Sequence, residues 1–140
     1  MSKTINLEDL FTEEREKEGV WFEPKIKGVG CGIEFLVTGR STDENIAGGE
    51  RYDKAVAALE DMKDPIEKSK KQKELFANRI AEFVKGIRPA NGSELMYNGK
   101  PLEYSVPLIQ KLFQQAPLIS GQIFSFVTDT TNFMKREKNA

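Results

Sequence analysis

The residues of this chain that could take part in chemistry are few. Gly28, Gly30 and Gly32 have the composition of a loop that wraps a phosphate group. Known phosphate-binding loops follow a buried strand and open a helix whose N-terminus holds the phosphate, whereas these glycines lead into a predicted strand. Cys31 could act as a nucleophile, but the sequence has no histidine to activate its thiol. A hairpin turn and a small strand residue are therefore the favoured interpretations.

Pairs of carboxylates are the remaining candidates for a metal site. Asp43 and Glu44 are adjacent, and Asp61 precedes Asp64 by one helical turn. A hard divalent cation collects about six or more oxygen ligands, which separate pairs do not supply, so solvated helix ends explain them better. The absence of histidine also removes the commonest general base near neutral pH and the commonest zinc ligand. We therefore expect no catalytic residue, no cofactor and no metal, and predict that the protein is not an enzyme.

A run of lysines between residues 68 and 73 could touch nucleic acid. Glu67 and Glu74 flank this run, and no aromatic residue is interleaved with the lysines for base stacking. The whole chain has a formal net charge of −1, so it produces no strong field that would attract phosphates. A solvated helix face is the favoured interpretation, and we expect no nucleic acid partner.

Composition and length indicate one modest globular unit. The chain has 140 residues, of which 31% are charged and 39% hydrophobic, which is enough for one core but not for two. The N-terminus lacks the pattern of a signal peptide, and the longest uncharged run, residues 112–128, is too short and too polar for a membrane span. A single cysteine suits a reducing compartment. The expected location is the cytoplasm, with no membrane partner.

The N-terminal part of the sequence predicts a leader followed by a β-hairpin. Residues 1–18 are acidic with little apolar content, so we expect a loosely ordered leader, with a helical turn as the alternative. The run VWFEPK at residues 20–25 is rich in β-branched and aromatic side chains, and residues 31–40 alternate Ile33, Phe35 and Val37 on one face. Gly28 and Gly30 between these runs favour a hairpin connection.

The rest of the sequence predicts three to four helices. Ser41 with Glu44 forms a capping-box pattern for a first helix that ends near residue 62. Asp64 before a proline begins a second helix, whose apolar spacing continues to Gly86. Residues 86–105 are rich in Gly, Pro and Asn-Gly pairs, which indicates an irregular segment or a small second hairpin. Ser105 begins the third helix, and a proline at position 117 separates it from a last helix that extends to residue 134.

The predicted fold class is therefore α+β, mainly α-helical, with three to four helices and an N-terminal β-hairpin. We divide the chain into an acidic leader at residues 1–18, a single globular domain at residues 19–137 and a frayed tail at residues 138–140. Within the domain, residues 19–40 form the hairpin and residues 41–137 form the helical part.

Several aromatic residues are candidates for contact with a partner. Trp21 and Phe22 are adjacent on one strand, so their side chains must point to opposite faces of the sheet. Phe124 and Phe133 fall outside the apolar stripe of the last helix. Helices that cover both faces of the sheet would bury these rings. The alternative is an external interface, because aromatic side chains are enriched in the centres of protein contacts.

The second half of the chain carries a series of short motifs. They are the turn FVKGI at residues 83–87, the sequence NGKPLEYS that opens a helix at residues 98–105, the sequence LFQQAPL at residues 112–118, and the spaced phenylalanines Phe124, Phe126 and Phe133. In this order the motifs resemble the closing region of siphophage and prophage tail assembly chaperones. Ile87 stands where that family usually has a tryptophan. The first half is similar in outline, with an aromatic strand, the strand EFLV and a helix entered near Asn45.

The resemblance implies a protein that acts during the assembly of long phage tails. Such a chaperone binds the tape measure protein, recruits tail tube subunits, works in the host cytoplasm and is absent from the mature virion. Self-association is a further expectation. The alternative function is a virion structural protein, such as a head–tail connector or a minor tail component, which would remain in purified particles.

A helical chaperone can offer an apolar groove to an amphipathic helix of its partner. We expect this groove between the second helix and the last helix, lined by Phe76, Phe83, Phe124 and Phe133, with Trp21 as a further protein-binding residue.

Overall fold

The computed structural model of the chain describes residue 4 and residues 6–135. Within these residues the protein is an α+β domain that is mainly helical, as the sequence predicts. The helices are α1 (Glu13–Glu18), α2 (Asp43–Ala57), α3 (Pro65–Ala81), α4 (Val106–Gln115) and α5 (Pro117–Thr128). The strands are β1 (Val20–Phe22), β2 (Lys25–Ile26), β3 (Val29–Gly30), β4 (Ile33–Val37), β5 (Val84–Pro89), β6 (Met96–Tyr97) and β7 (Lys100–Pro101). The predicted frayed tail at residues 138–140 lies outside the described residues.

The main sheet has three antiparallel strands in the order β1-β4-β5. The predicted hairpin between β1 and β4 is confirmed, and its connection contains a smaller hairpin formed by β2 and β3. At the turn of that smaller hairpin, Lys27 and Gly28 both have positive φ angles, which glycine adopts without steric cost.

Strand β5 corrects the prediction for residues 82–89. The sequence predicts that the second helix continues to Gly86, but α3 ends at Ala81 and the chain then pairs with β4. The spacing of Ile80, Phe83 and Val84 fits a helix as well as a strand entry, so local pattern does not decide between them. The edge of β4 decides in favour of a strand, because pairing with β4 satisfies the backbone hydrogen-bonding groups of β5. The predicted second hairpin in the following segment is confirmed as β6 and β7.

Most helix starts follow their predicted caps. Asp64 accepts hydrogen bonds from the backbone of Ile66 and Glu67 at the start of α3, and Ser105 caps α4 in the same way. The cap of α2 is Thr42 rather than Ser41, since the Thr42 side chain accepts from the amide of Asn45. Helix α2 also ends five residues earlier than the expected residue 62, at Ala57.

The end of the last helix also differs from the prediction. Helix α5 stops at Thr128, and Asp129 caps a 3-10 turn at Thr130–Phe133. This turn redirects the chain, so Phe133 enters the core instead of continuing along the surface of α5.

Part of the predicted leader is helical. Glu16 in α1 is buried, its carboxylate accepts hydrogen bonds from the Thr12 hydroxyl and the Ser41 amide, and its carbonyl accepts from Gly39. Helix α1 is therefore attached to the loop that enters α2.

One face of the main sheet and the inner faces of α3, α4 and α5 form the core. Its largest fully buried members are Phe35, Val37, Ile80, Val84, Ile109, Phe113, Ile123, Val127 and Phe133. Phe22, Phe35 and Ile87 share the core side of the sheet, because they occupy matching positions on the paired strands. The core positions α5 with one face inward and one face toward solvent.

Candidate protein-binding surface

The outward face of α5 is exposed and carries no charge. The whole helix, PLISGQIFSFVT, has no Asp, Glu, Lys or Arg. Leu118 is 58% exposed and Phe124 is 44% exposed, and Pro117 and Ser125 also face solvent. A solvent-facing helix normally carries charged residues on its outer side. We define the α5 surface as Pro117, Leu118, Gly121, Phe124 and Ser125.

The inward face of α5 explains why this surface is held in place. Ser120, Ile123, Phe126 and Val127 are buried, and they recur at helical spacing. The ring of Phe126 stacks on Phe22 of β1 with 4.3 Å between ring centroids. A proline at the first position opens the helix, where a missing amide hydrogen costs nothing.

Helix α3 borders the α5 surface on one side. The rings of Phe124 and Phe76 meet edge to face at 5.6 Å between centroids. Phe76 is itself half-buried against the core. The contact leaves part of the Phe124 ring in solvent, so the ring is oriented but remains accessible to a partner.

Strands β1 and β2 border the surface on the other side. The side-chain amide of Gln122 donates to the carbonyl of Lys25 at 2.6 Å and accepts from the amide of Lys25 at 2.7 Å. Gln122 therefore satisfies both backbone groups of Lys25, as a residue of a neighbouring strand would. A concavity of about 600 Å³ adjoins this contact and is lined by Phe22, Leu118, Gly121 and Phe126 among others.

Gly121 lies at the centre of the α5 surface. A Cβ atom built on this glycine would meet no other atom within 4 Å, so no packing inside the chain demands glycine here. The missing side chain leaves space in which the backbone of a partner helix can approach closely. The arrangement suits binding of an apolar helix rather than binding of a small polar ligand.

Only two of the proposed groove residues meet as predicted. Phe76 and Phe124 lie together between α3 and α5. Phe133 is 0% exposed and contacts Phe126, and Phe83 is buried beneath the Arg79 guanidinium, which lies 4.4 Å from its ring centroid. Phe83 and Phe133 are therefore core residues, and the groove predicted from all four phenylalanines is wrong in this respect.

Trp21 lies away from the α5 surface, on the outer face of the sheet. Its side chain and that of Phe22 point to opposite faces, as predicted. The guanidinium of Arg88 lies 3.8 Å from the Trp21 ring centroid and also donates to Glu34 at 2.9 Å. Trp21 is therefore partly covered by its own chain.

Sequence reasoning missed Leu118 and Gly121 as members of the α5 surface. A signal was present, because residues 112–128 form the longest uncharged run of the chain. Read as a helix that packs one face inward, such a run leaves an uncharged outer face.

The metal, thiol and membrane interpretations of the sequence concern other parts of the described chain. No group of three or more His, Cys, Asp or Glu residues that could hold a metal ion is present there. Cys31 is half-buried, and its Sγ lies 3.6 Å from the carbonyl of Ile33. Among the same residues, no helix is both long enough and apolar enough to span a bilayer.

Comparisons of the chain with protein-family models, with curated proteins and with solved structures gave no match.

Proposed function

We propose that this protein is a phage tail assembly chaperone that binds the tape measure protein and recruits tail tube subunits. It acts by protein binding without catalysis, in the host cytoplasm, and leaves before the virion is mature. The observation that carries the proposal is the exposed, uncharged α5 surface. Such a surface matches the apolar face of an amphipathic helix in a partner.

The residues of the resemblance build the frame that presents α5. The hydroxyl of Tyr104, in the motif NGKPLEYS, donates to the carbonyl of Val84, in the motif FVKGI, at 2.9 Å. Ser105, the last residue of NGKPLEYS, caps α4. The third motif, LFQQAPL, contains the break between α4 and α5. Pro117 and Leu118 of this motif and Phe124 of the spaced phenylalanines belong to the α5 surface, so proteins with these motifs would have part of the same surface.

The proposed role requires reversible binding. A chaperone must release its client when tube subunits surround the tape measure protein, so a small interface with a few apolar anchors is appropriate. Leu118 and Phe124 are the anchors that protrude most from α5. Ser125 lies on the same helix face as Leu118 and adds a polar group to the surface.

The proposal is tested by co-expressing this chain with the product of the longest open reading frame downstream of its gene, which is the expected tape measure protein. We expect this chain to keep that product soluble and to co-purify with it. Leu118→Ser combined with Phe124→Ser should abolish co-purification, because each substitution removes an exposed anchor while the core stays intact.

Ile66→Ser is the matched control. Ile66 is 65% exposed at the start of α3, so this variant loses an exposed apolar side chain elsewhere and should behave like the unaltered protein. Solubility of the partner that does not depend on this chain, together with the presence of this chain in purified particles, would favour the virion structural protein instead. Retained binding by the double variant would refute the role of the α5 surface.

A further inference from the structure

The proposed function makes no use of the asparagine side chains in two Asn-Gly pairs of the chain. The pairs are Asn91-Gly92 and Asn98-Gly99, and all four residues are exposed. In such a pair the backbone nitrogen of the glycine can attack the side-chain amide of the asparagine, because glycine has no side chain to hinder the approach. This reaction, deamidation, is one reason why asparagine is a thermolabile residue. The two pairs differ in how the fold holds them.

The first pair, Asn91-Gly92, lies in the segment between β5 and β6, outside any helix or strand. Among residues 6–135, no backbone group of residues 91–94 forms a hydrogen bond with another backbone group. A Cβ atom built on Gly92 would meet no other atom within 4 Å, so nothing crowds the backbone there. The chain at this pair can therefore rotate into the geometry of ring closure without losing a backbone hydrogen bond.

A hydroxyl group is already placed on the reacting amide of the first pair. The Ser93 hydroxyl donates to Oδ1 of Asn91 at 2.7 Å. This oxygen gains negative charge when the nitrogen of Gly92 adds to the side-chain carbon. A hydrogen-bond donor at the atom where charge develops stabilises the transition state. Ser93 therefore favours the reaction at Asn91.

The second pair, Asn98-Gly99, forms the two-residue turn of the hairpin between β6 and β7. Its φ angles are 52° and 76°, and positive values at both positions are typical of a type I′ turn. The strands pair on either side of the turn, and beyond them the amide of Leu102 donates to the carbonyl of Leu95 at 2.8 Å. A type I′ turn directs the nitrogen of Gly99 away from the side chain of Asn98. Ring closure at Asn98 therefore requires the hairpin to open first.

We propose that Asn91 is a site of spontaneous deamidation and that the hairpin protects Asn98 from the same reaction. The backbone nitrogen of Gly92 attacks Cγ of Asn91 and gives its proton to water. The bond from Cγ to the side-chain nitrogen then breaks, and that nitrogen takes up a proton from water and leaves as ammonia. Water adds to either carbonyl of the resulting succinimide ring and breaks one of its carbon–nitrogen bonds. The products are aspartate and isoaspartate, and water is the only co-reactant.

The reaction changes the protein at the point where the chain leaves the main sheet. Both products carry a carboxylate in place of the neutral amide of Asn91. In the isoaspartate product the main chain also runs through the former side-chain carbon, just after Ala90. The amide of Ala90 donates to the carbonyl of Gly32 at 2.9 Å, next to the start of β4. This inference does not rest on the proposed function.

The test incubates the purified full chain at mildly alkaline pH and locates deamidation by peptide mapping with fragment-ion mass spectrometry. One tryptic peptide, residues 86–111, contains both asparagines, because trypsin does not cleave before Pro89 or Pro101. Each site therefore serves as the reference for the other. We expect Asn91 to react about tenfold faster than Asn98, since the hairpin must open before Asn98 can react. In urea that unfolds the chain, the two rates should approach each other.

Two variants test the contribution of the Ser93 hydroxyl. Ser93→Ala should slow the reaction at Asn91 by about threefold and leave Asn98 unchanged, because only Asn91 loses a hydrogen-bond donor. Ser93→Thr keeps a hydroxyl group and should retain the rate of the unaltered protein. Equal rates at the two sites in the folded chain, a faster reaction at Asn98, or the same preference for Asn91 in urea would each overturn the inference. An unchanged rate at Asn91 in Ser93→Ala would refute the role of Ser93.

Discussion

Phe133 and Phe124 provide a direct test of how α5 and the turn after it are packed. Phe133 is 0% exposed, and its ring lies 5.8 Å from that of Phe126, which in turn stacks on Phe22. Truncation of a buried phenylalanine removes its transfer free energy and leaves a cavity, at a cost of ~3–5 kcal/mol. We therefore expect Phe133→Ala to lower the free energy of unfolding by that amount.

The same truncation at Phe124 should cost much less. Phe124 is 44% exposed, and its aromatic neighbour is Phe76 at 5.6 Å. Full burial of a phenylalanine contributes ~1.5–3 kcal/mol, and only about half of that applies to a ring that is half in solvent. Phe124→Ala should therefore lower the free energy of unfolding by ~1 kcal/mol, with no enclosed cavity to add to the loss.

Urea denaturation followed by far-ultraviolet circular dichroism and by the fluorescence of Trp21 measures both losses. Trp21 is the single tryptophan of the chain, so its emission reports on the main sheet. A domain of this size has a total stability of about 5–15 kcal/mol, so Phe133→Ala should shift the midpoint far more than Phe124→Ala. Equal losses for the two variants, or a larger loss at Phe124, would refute the placement of Phe133 in the core.

Three further predictions concern the attachment of α1, the exposed face of α5 and the attachment of the β2–β3 hairpin. Gly39→Ala should destabilise the protein by ~1–3 kcal/mol in thermal unfolding, because a Cβ atom at Gly39 would overlap the side chain of Glu16. Gly121→Ala should stabilise the protein by ~0.5–1 kcal/mol, because a Cβ atom at Gly121 would meet no other atom within 4 Å and alanine favours the helix. A stabilising Gly39→Ala would contradict the burial of Glu16. Gln122→Ala should speed hydrogen exchange at the Lys25 amide by about tenfold, because that amide loses its acceptor. Exchange at the Lys25 amide that Gln122→Ala leaves unchanged would argue against the contact.

The helix starts show what local sequence signals can establish. Asp64 before a proline and Ser105 two residues before a proline predict the starts of α3 and α4, and both side chains accept the expected backbone hydrogen bonds. Each signal lies within a few residues of the group that it satisfies, so no distant part of the chain is needed to interpret it. The break between α4 and α5 at residue 117 is local in the same way.

The predictions from sequence are wrong where the conformation of a segment depends on contacts with a distant part of the chain. Residues 84–86 have the apolar spacing of a helix end. They form a strand instead, because they pair with β4, which lies about fifty positions earlier in the chain. Phe133 departs from the stripe of α5, which the sequence interprets as exposure. The 3-10 turn capped by Asp129 reverses that interpretation by directing the ring into the core.

The sequence by itself determined the class of the fold, the two-strand pairing near the N-terminus and most helix starts, because these depend on the spacing of apolar residues and on caps within one turn. It also carried the uncharged run from which the α5 surface is made. Only the tertiary structure decided which side of that run is buried, since the choice depends on how Phe22, Phe126 and Phe133 pack together from three separate segments. The same packing separated the accessible Phe124 from the buried Phe133, two rings that the sequence alone treats alike.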